Sequence, residues 1–310
     1  MPCYHPIEAY RTQEKTSTGK LKIVFSKSAY STHALIPVKL PCQQCHGCRL
    51  EKSRQWATRC LHESTLHNEN SFITLTYDDE HLPWDHSLNI EHFQKFMRRL
   101  RKAIAPKKIR FYHSGEYGKA TPDNDFIARP HYHALIFGHN FSDRTLWTER
   151  EGICLYTSAD LDDLWNMGIT SVGDVTFESA AYVARYIMKK INGAKADDHY
   201  TRTDHATGEI IKLQPEYSTM SRRSGIGANW FNSFKSDAYP SDKISVRGSI
   251  QKPPKYYDYL YNLDSPYDME RIKQERKKSM RKHLKDNTPD RLAVREQVKL
   301  AQTSTLNRSL

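Results

Sequence analysis

The middle of the chain contains four short segments whose side chains alternate between apolar and polar positions or are apolar throughout. Segments of this length that are rich in β-branched and aromatic residues are typical of strands in a partly buried sheet. The four segments lie at residues 71–78, 108–116, 130–138 and 169–177. We therefore expect four strands in this part of the chain.

Two helices are predicted among and after these strands. Between residues 90 and 105, Phe93, Met97 and Leu100 recur at intervals of three or four residues and so share one side of a helix. A second helical pattern covers residues 180–190. Because the strands follow one another closely, their order favours an α+β fold with a small antiparallel or mixed sheet over a doubly wound parallel sheet.

The two ends of the chain differ from this middle part. Residues 1–66 combine short apolar runs with a cysteine-rich segment and a helical pattern that starts near residue 49. Residues 196–310 are polar and basic, and helical patterns appear towards their end. We therefore expect a compact core over residues 67–195, preceded by an N-terminal cysteine-containing segment and followed by a partly helical C-terminal extension.

The charge of the chain narrows the class of partner. The 310 residues include 47 Lys and Arg against 36 Asp and Glu, which gives a net charge of +11. Such a basic excess favours a polyanionic partner such as nucleic acid, although it says nothing about fold. A membrane span needs about 20 apolar residues in succession, and the sequence has no such run, so a membrane partner is not expected. No secretory signal pattern precedes the core, and the cysteines are therefore expected to be reduced or to bind metal.

His131 and His133 are the first candidates for chemistry. Residues two apart in a strand point to the same side, so both imidazoles can bind one cation. A chain with 15 histidines also contains such pairs by chance, and two ordinary strand histidines are the alternative interpretation. Glu116 ends the preceding predicted strand and completes a His₂Glu site if the two strands pair. Mixed nitrogen and oxygen ligands with open positions suit Mg²⁺ or Mn²⁺ acting as a Lewis acid.

Tyr182, Tyr186 and Lys189 form the second candidate group. Their spacing of four and then three residues places all three on one side of a helix. A core-facing aromatic stripe is the alternative interpretation. In the functional interpretation the tyrosines are nucleophiles, whose ordinary pKa near 10 means that attack at neutral pH needs help. A nearby ammonium favours the phenolate, and a divalent ion polarises the phosphate under attack.

The order of these motifs is more specific than any single one. An apolar strand, a carboxylate, a His-Tyr-His segment and a Tyr-x₃-Tyr-x₂-Lys segment resemble the His-hydrophobe-His (HUH) endonucleases that initiate rolling-circle replication, in the class with two tyrosines. The segments PCQQCHGCRLEKSRQWATRC, FITLTYDDEHLP, RPHYHALIFG and YVARYIMKK together resemble the replication initiators of microviruses, and of gokushoviruses in particular. The resemblance spans about residues 40–260.

This resemblance implies a fold, an activity and partners. The fold is an α+β one in which helices flank a central antiparallel sheet of HUH type, with a cysteine-rich helical segment before it and an extension after it. The implied activity is a metal-dependent nick in single-stranded origin DNA, which joins a tyrosine to the 5′ phosphate, leaves a free 3′ hydroxyl and is followed by closure of the released strand into a circle. Host helicase and polymerase are the implied partners, and the bacterial cytoplasm is the implied location.

The resemblance also assigns roles to the candidate residues. It gives the metal to His131, His133 and Glu116. Tyr182 and Tyr186 become the nucleophiles, and which of them cuts first is left open. Lys189 becomes the supporting cation.

The cysteines form a third candidate site. Cys42, Cys45 and Cys48 make a Cys-x₂-Cys-x₂-Cys run, which six cysteines rarely produce by chance. Cys3 or Cys60 is able to supply a fourth thiolate for a structural Zn²⁺. An iron–sulfur cluster uses similar spacings, and reduced structural thiols near the start of a helix are the third interpretation.

Basic residues at several positions are candidates for DNA contacts, with solvated helix faces as the alternative. They are Arg98, Arg99, Arg101, Lys102, Arg129, Arg222 and Arg223. Together these features predict a DNA endonuclease and strand transferase. Two other classes stay open: a non-catalytic, zinc-containing nucleic-acid-binding protein, and a related transposase or relaxase.

Overall fold

The computed structural model describes residues 3–17, 19–27, 35–118, 129–150, 152–186, 195–203 and 207–304. The chain divides into two compact units. Unit 1 comprises residues 1–52 and 274–309, and unit 2 comprises residues 53–273. Unit 1 thus combines segments from both ends of the chain, and unit 2 is the segment between them.

The secondary structure alternates short strands with helices along the whole chain. The strands are β1 (Ile7–Lys15), β2 (Leu21–Val24), β3 (Ile36–Leu40), β4 (Asn70–Thr76), β5 (Arg110–Tyr117), β6 (Pro130–Phe137), β7 (Thr145–Arg150), β8 (Ile153–Thr157), β9 (Thr170–Gly173), β10 (Thr201–Thr203), β11 (Ile210–Lys212), β12 (Tyr217–Met220), β13 (Ile244–Val246) and β14 (Ser249–Gln251). The helices are α1 (His46–Ser64), α2 (Ile90–Ala103), α3 (Ala159–Trp165), α4 (Phe177–Tyr186), α5 (Lys195–Tyr200), α6 (Ala228–Ala238), α7 (Lys255–Asp264), α8 (Pro266–Arg281) and α9 (Pro289–Ser304), and a 3₁₀ turn covers Leu284–Asn287.

A seven-stranded antiparallel sheet forms the centre of unit 2. Its order is β12-β5-β6-β4-β9-β8-β7, and every neighbouring pair is antiparallel. The predicted α+β class is therefore confirmed. Three strands of this sheet, β7, β8 and β12, were not expected from the sequence, and β12 belongs to the segment interpreted as a C-terminal extension.

Helices cover both faces of this sheet. On one face, α2 and α3 pack on strand residues such as Ile73, Tyr132 and Ile136, which form the larger buried cluster. On the other face, α1 and α4 pack on Phe72 and Leu135, among others. Side chains along a strand point alternately to the two faces of the sheet. Every second residue of a strand therefore faces the same pair of helices. We call the face under α1 and α4 the α4 face.

A smaller cluster builds the end of unit 2. Phe231 of α6 packs against Tyr257 and Tyr261 of α7 and against the β13-β14 hairpin. Tyr257 also contacts α1, because its hydroxyl oxygen lies 3.0 Å from Nδ1 of His62, whose ring stacks on Trp230. This aromatic packing joins α6 and α7 to α1.

Unit 1 is a three-stranded antiparallel sheet with helical segments. The strand order is β2-β1-β3. Its buried cluster contains Tyr4, Cys45 and Leu292, so the start of the chain packs on α9. Thr303 Oγ1, near the end of α9, lies 3.0 Å from Nε2 of His46 at the start of α1.

Candidate active site

Two central strands, β5 and β6, bring the predicted metal ligands together. Their antiparallel register pairs Glu116 with His131 and Ser114 with His133. Alternation along each strand then turns all four side chains towards the α4 face. The carboxylate and the two imidazoles predicted from the sequence therefore lie side by side on one surface of the sheet.

The distances within this group are those of ligands that share one centre. Oε1 of Glu116 lies 3.0 Å from Nε2 of His131 and 2.7 Å from Nε2 of His133. The three ligand atoms lie within 4.8 Å of one another. The exposed side-chain fraction is 0% for Glu116, 6% for His133 and 17% for His131, so solvent reaches the group from the His131 side.

A second layer of contacts fixes the orientation of both rings. Nδ1 of His131 lies 3.0 Å from the carbonyl oxygen of Arg129, to which it donates. Nδ1 of His133 lies 2.9 Å from Oγ1 of Thr74 on the neighbouring strand β4. With both Nδ1 atoms engaged in this way, both Nε2 atoms are directed to the centre, as is usual for histidines that bind a metal.

The charge state of Glu116 suits a ligand. Burial alone would raise the pKa of its carboxyl group, but the hydrogen bonds from His131 and His133 outweigh burial and lower the pKa to about 2. The carboxylate is therefore ionised at neutral pH. Two imidazole nitrogens and one carboxylate oxygen, held by two paired strands, form a donor set that fits a single divalent cation with open positions for substrate.

Tyr182 lies against this group. Helix α4 packs on β5 and β6, and the ring centroid of Tyr182 is 5.0 Å from that of His133, with the two planes nearly perpendicular. Tyr182 is half-buried. The structure therefore places the first predicted nucleophile on the same face as the predicted ligands.

The rest of the tyrosine motif is only partly described. Tyr186 is the last residue of α4, four residues after Tyr182. Lys189 and the end of the predicted helix lie outside the described residues. Among the described residues, Arg185 supplies a cation close to Tyr182, because its guanidinium carbon lies 5.8 Å from the centroid of that ring.

Three residues near the site were not singled out by the sequence. They are Thr74, Arg185 and Ser114. Ser114 pairs with His133 across strands β5 and β6, and its hydroxyl is buried without a hydrogen-bond partner among the described residues. Thr74 and Ser114 are brought in by cross-strand pairing, which no local pattern reveals. Arg185 could have been found from the sequence, because it lies between Tyr182 and Tyr186 in the motif.

The candidate DNA contacts fall into separate groups. Helix α2 covers the face opposite the α4 face, so Arg98, Arg101 and Lys102 lie exposed on its outer side. Arg99 instead donates to the carbonyl oxygens of Leu164 and Trp165 at the end of α3, which is a structural contact.

The remaining candidates lie on other elements. Arg129, two residues before His131, donates to the carbonyl oxygen of Tyr77 and pairs with Asp79. Arg222 and Arg223 are exposed in the loop after β12. That loop is anchored because Arg110 of β5 donates to the carbonyl oxygens of residues 223 and 224.

The structure also gathers four of the cysteines. The sulfur atoms of Cys3, Cys42, Cys45 and Cys48 lie within 4.8 Å of one another, an arrangement compatible with a metal ion. Cys60, the other candidate for a fourth thiolate, is fully buried in the apolar cluster under α4. Among the described residues, no helix is long and apolar enough to cross a membrane.

Comparison with known proteins finds relatives of one kind. Residues 70–191 match the family model of the replication-associated protein ORF2/G2P. The chain is 32% identical to the replication-associated protein VP4 of Bdellovibrio phage phiMH2K, over 86% of this chain and 79% of that protein. It is 32% identical to the replication-associated protein ORF2 of Spiroplasma virus 4, over 79% of this chain and 75% of that protein.

A third relative extends the pattern. The chain is 29% identical to the replication-associated protein ORF4 of Chlamydia phage 1, over 85% of this chain and 64% of that protein. No solved structure gave a significant match. The chain belongs to the replication-associated proteins of phages. Within them it is of the microvirus type, as the resemblance of its motifs implied.

Proposed function

We propose that this protein initiates rolling-circle replication by nicking single-stranded origin DNA with a tyrosine nucleophile. The observation that carries the proposal is the position of Tyr182, whose ring lies 5.0 Å from that of His133 in the Glu116, His131 and His133 group. A phenol, a charged carboxylate and two oriented imidazoles then meet at one place where a phosphodiester can be bound.

The protein residues provide binding and orientation for this reaction. Glu116, His131 and His133 would hold Mg²⁺ or Mn²⁺, which would polarise a phosphate oxygen and offset its charge. The ring orientations set by Thr74 and by the Arg129 carbonyl keep both Nε2 atoms directed to the centre. The guanidinium of Arg185 lies beside the ring of Tyr182, where its positive charge offsets negative charge on the reacting groups.

The chemical step exchanges one phosphodiester for another. The phenolic oxygen of Tyr182 attacks phosphorus, and the phenol loses its proton to solvent. The bond between phosphorus and the 3′ oxygen breaks, and that oxygen takes up a proton from water. The products are a 5′ phosphotyrosine and a free 3′ hydroxyl, and the phosphotyrosine conserves the energy needed for later rejoining.

A second nucleophile one helical turn away allows a second transfer. Tyr186 follows Tyr182 by four residues in α4, a rise of about 6 Å along the helix axis. Tyr186 cleaves the regenerated origin, and the new 3′ hydroxyl attacks the first phosphotyrosine to close a circle. Lys189 acts as a further cation in this scheme. The relatives named as replication-associated proteins support a role in replication.

The DNA at the cut is single-stranded in this proposal. Glu116 and His133 are almost completely buried and only His131 is partly exposed, so a phosphate has to enter a narrow site beside a helix. Host helicase and polymerase are the partners that would unwind the duplex and extend the 3′ hydroxyl. The bacterial host cell is the place of action.

A covalent adduct tests the proposal. Overlapping single-stranded oligonucleotides that cover the phage genome are incubated with the full chain and Mn²⁺, and are then analysed by denaturing electrophoresis. A label at the 3′ end should move with the protein, and a label at the 5′ end should stay on a fragment that a polymerase extends. Tyr182→Phe combined with Tyr186→Phe should abolish the adduct and leave DNA binding intact.

Two controls make this test specific. Tyr267→Phe, at a tyrosine of α8 that is 92% exposed, should leave the adduct unchanged. His133→Ala should stop cleavage without unfolding the chain, because it removes one ligand. An adduct that persists in the double tyrosine variant would refute the assignment of the nucleophiles. Binding without any adduct in the unaltered chain would favour a non-catalytic nucleic-acid-binding protein.

A further inference from the structure

The cysteine cluster of unit 1 has the dimensions of a site for one metal ion. A tetrahedral Zn²⁺ with bonds of about 2.3 Å to four thiolates separates neighbouring sulfurs by about 3.8 Å. The sulfurs of Cys45 and Cys3 are 3.9 Å apart, and all four sulfurs lie within 4.8 Å of one another. The four thiols are not joined by disulfides. An iron–sulfur cluster places several irons and sulfides between its cysteines and needs a wider arrangement.

Backbone N–H groups are directed at these sulfurs. The N–H of Cys42 donates to the sulfur of Cys3 at 3.2 Å, and the N–H of Cys45 donates to the sulfur of Cys42 at 3.2 Å. The N–H of Tyr4 donates to the sulfur of Cys45 at 3.3 Å. Donors of this kind stabilise sulfur that carries negative charge, and several negative sulfurs at such distances require a cation between them.

The packing of unit 1 gives an independent reason for a metal ion. Among the described residues, its buried cluster contains Tyr4, Cys45 and Leu292, and the partly buried residues packed against it are the other three cysteines. A unit of this size with so few buried apolar side chains usually needs a disulfide or a metal for stability. Four of the six residues in and around this cluster are cysteines.

The cysteines also come from different segments of the fold. Cys3 precedes β1, Cys42 follows β3, Cys45 lies directly before α1, and Cys48 lies in its first turn. An ion bound by all four would tie the start of the chain to the end of the small sheet and to the start of α1. Leu292 of α9 packs against the same cluster.

We propose that Cys3, Cys42, Cys45 and Cys48 bind one structural Zn²⁺ that holds unit 1 together. Cys3, and not Cys60, is the fourth ligand. The zinc is separate from the cation held by Glu116, His131 and His133. This inference does not depend on the nicking reaction, because its ligands and its role are confined to unit 1.

Metal content is the first test. The full chain, purified under reducing conditions without chelator, should contain about one zinc per molecule by elemental analysis, as expected for a closed four-thiolate site. Cys45→Ser should lose this zinc. The matched control Cys154→Ser should retain it, and so should His133→Ala, because neither residue belongs to the cluster.

Other results would overturn the proposal. Zinc should not persist in Cys45→Ser, and it should not be lost in His133→Ala. In the unaltered chain, iron with acid-labile sulfide in place of zinc, or a disulfide between any two of the four cysteines, would also contradict the proposal. A chain that binds zinc as described but never forms a DNA adduct would refute the nicking proposal alone. A chain that forms the adduct but contains no zinc would refute the zinc proposal alone.

A second measurement guards against a variant that simply fails to fold. Cobalt replaces zinc in the unaltered chain, and a sulfur-to-cobalt charge-transfer band should appear in the ultraviolet, since the ligands are thiolates. Its absence would contradict the proposal. Removal of the metal should also open unit 1 to protease. The fluorescence of unit 2, which holds all five tryptophans of the chain, should not change.

Discussion

At the scale of single residues, the candidate active site depends on side chains that orient the candidate ligands through hydrogen bonds. His131 and His133 follow from the sequence, because an alternation of two in a strand predicts a common direction. Thr74 does not follow from the sequence, because it reaches His133 from another strand through the β4-β6 register. The orientation of the candidate metal ligands is therefore a tertiary property.

Thr74→Val tests this orientation. Valine keeps the shape of threonine but removes the oxygen that lies 2.9 Å from Nδ1 of His133. We expect the affinity for Mn²⁺ to fall by about 10- to 100-fold, as for other losses of such partners, with DNA cleavage recovering at high Mn²⁺. Titration of cleavage rate against Mn²⁺ measures the change.

A matched control exists on the same sheet. Oγ1 of Thr219 lies 2.9 Å from Nδ1 of His113, a buried histidine outside the ligand group. Thr219→Val removes an equivalent contact and should leave the Mn²⁺ dependence unchanged. Equal Mn²⁺ dependence of the Thr74 variant and the unaltered chain would show that Thr74 does not orient the ligand.

At the scale of elements, the start of α6 depends on a glycine that two neighbouring helices surround. Gly227 has φ of +78°, and a Cβ atom there would lie 2.6 Å from the hydroxyl oxygen of Tyr257 in α7. Its N–H donates to Oε2 of Glu63 in α1 at 2.7 Å. Glu63 also pairs with Arg110 at 2.5 Å, so this one turn connects α1, α6, α7 and β5.

Gly227→Ala should destabilise unit 2 by about 2–4 kcal/mol, from backbone strain together with overpacking. Urea unfolding followed by tryptophan fluorescence reports this unit. Gly248→Ala is the matched control, because Gly248 has φ of +73° but no atom within 4 Å of an added Cβ. That variant should lose only the contribution from strain, about 1 kcal/mol. Equal losses in the two variants would mean that the contact with Tyr257 has no energetic weight.

At the scale of the whole molecule, the positive charge is distributed over surfaces with different orientations. The net charge of +11 predicted a polyanionic partner. In unit 2, the basic side of α2 lies over the face opposite the ligands, whereas Arg222 and Arg223 extend from the strand that neighbours β5. The second group follows a strand that pairs with β5, although it lies beside Arg110, at the end of β5 away from Glu116.

This distribution predicts unequal effects on DNA binding. Arg222→Gln combined with Arg223→Gln should weaken binding of single-stranded DNA and should lower the slope of log affinity against log salt by about 0.7 for each lost phosphate contact. Arg98→Gln combined with Lys102→Gln, which removes the same charge from α2, should change both quantities less. Fluorescence anisotropy at several salt concentrations measures them. A larger effect of the α2 variant would place the DNA on the other face.

The sequence by itself determined the α+β class, the direction of the candidate ligands along each strand and the spacing of the tyrosines, because these depend on local periods of two and 3.6 residues. It left β7, β8 and β12 unrecognised, because these strands, at or next to the edges of the sheet, are defined by pairing with distant segments. It also left Cys3 and Cys60 equivalent as candidates for the fourth ligand of the proposed zinc.

Only the tertiary structure decided questions of proximity between distant segments. It placed Glu116 opposite His131, put Thr74 behind His133 and laid Tyr182 against the same face. It also assigned Arg99 to the end of α3. Register and packing depend on the free energy of the whole assembly of strands and helices, so no local pattern along the chain contains them.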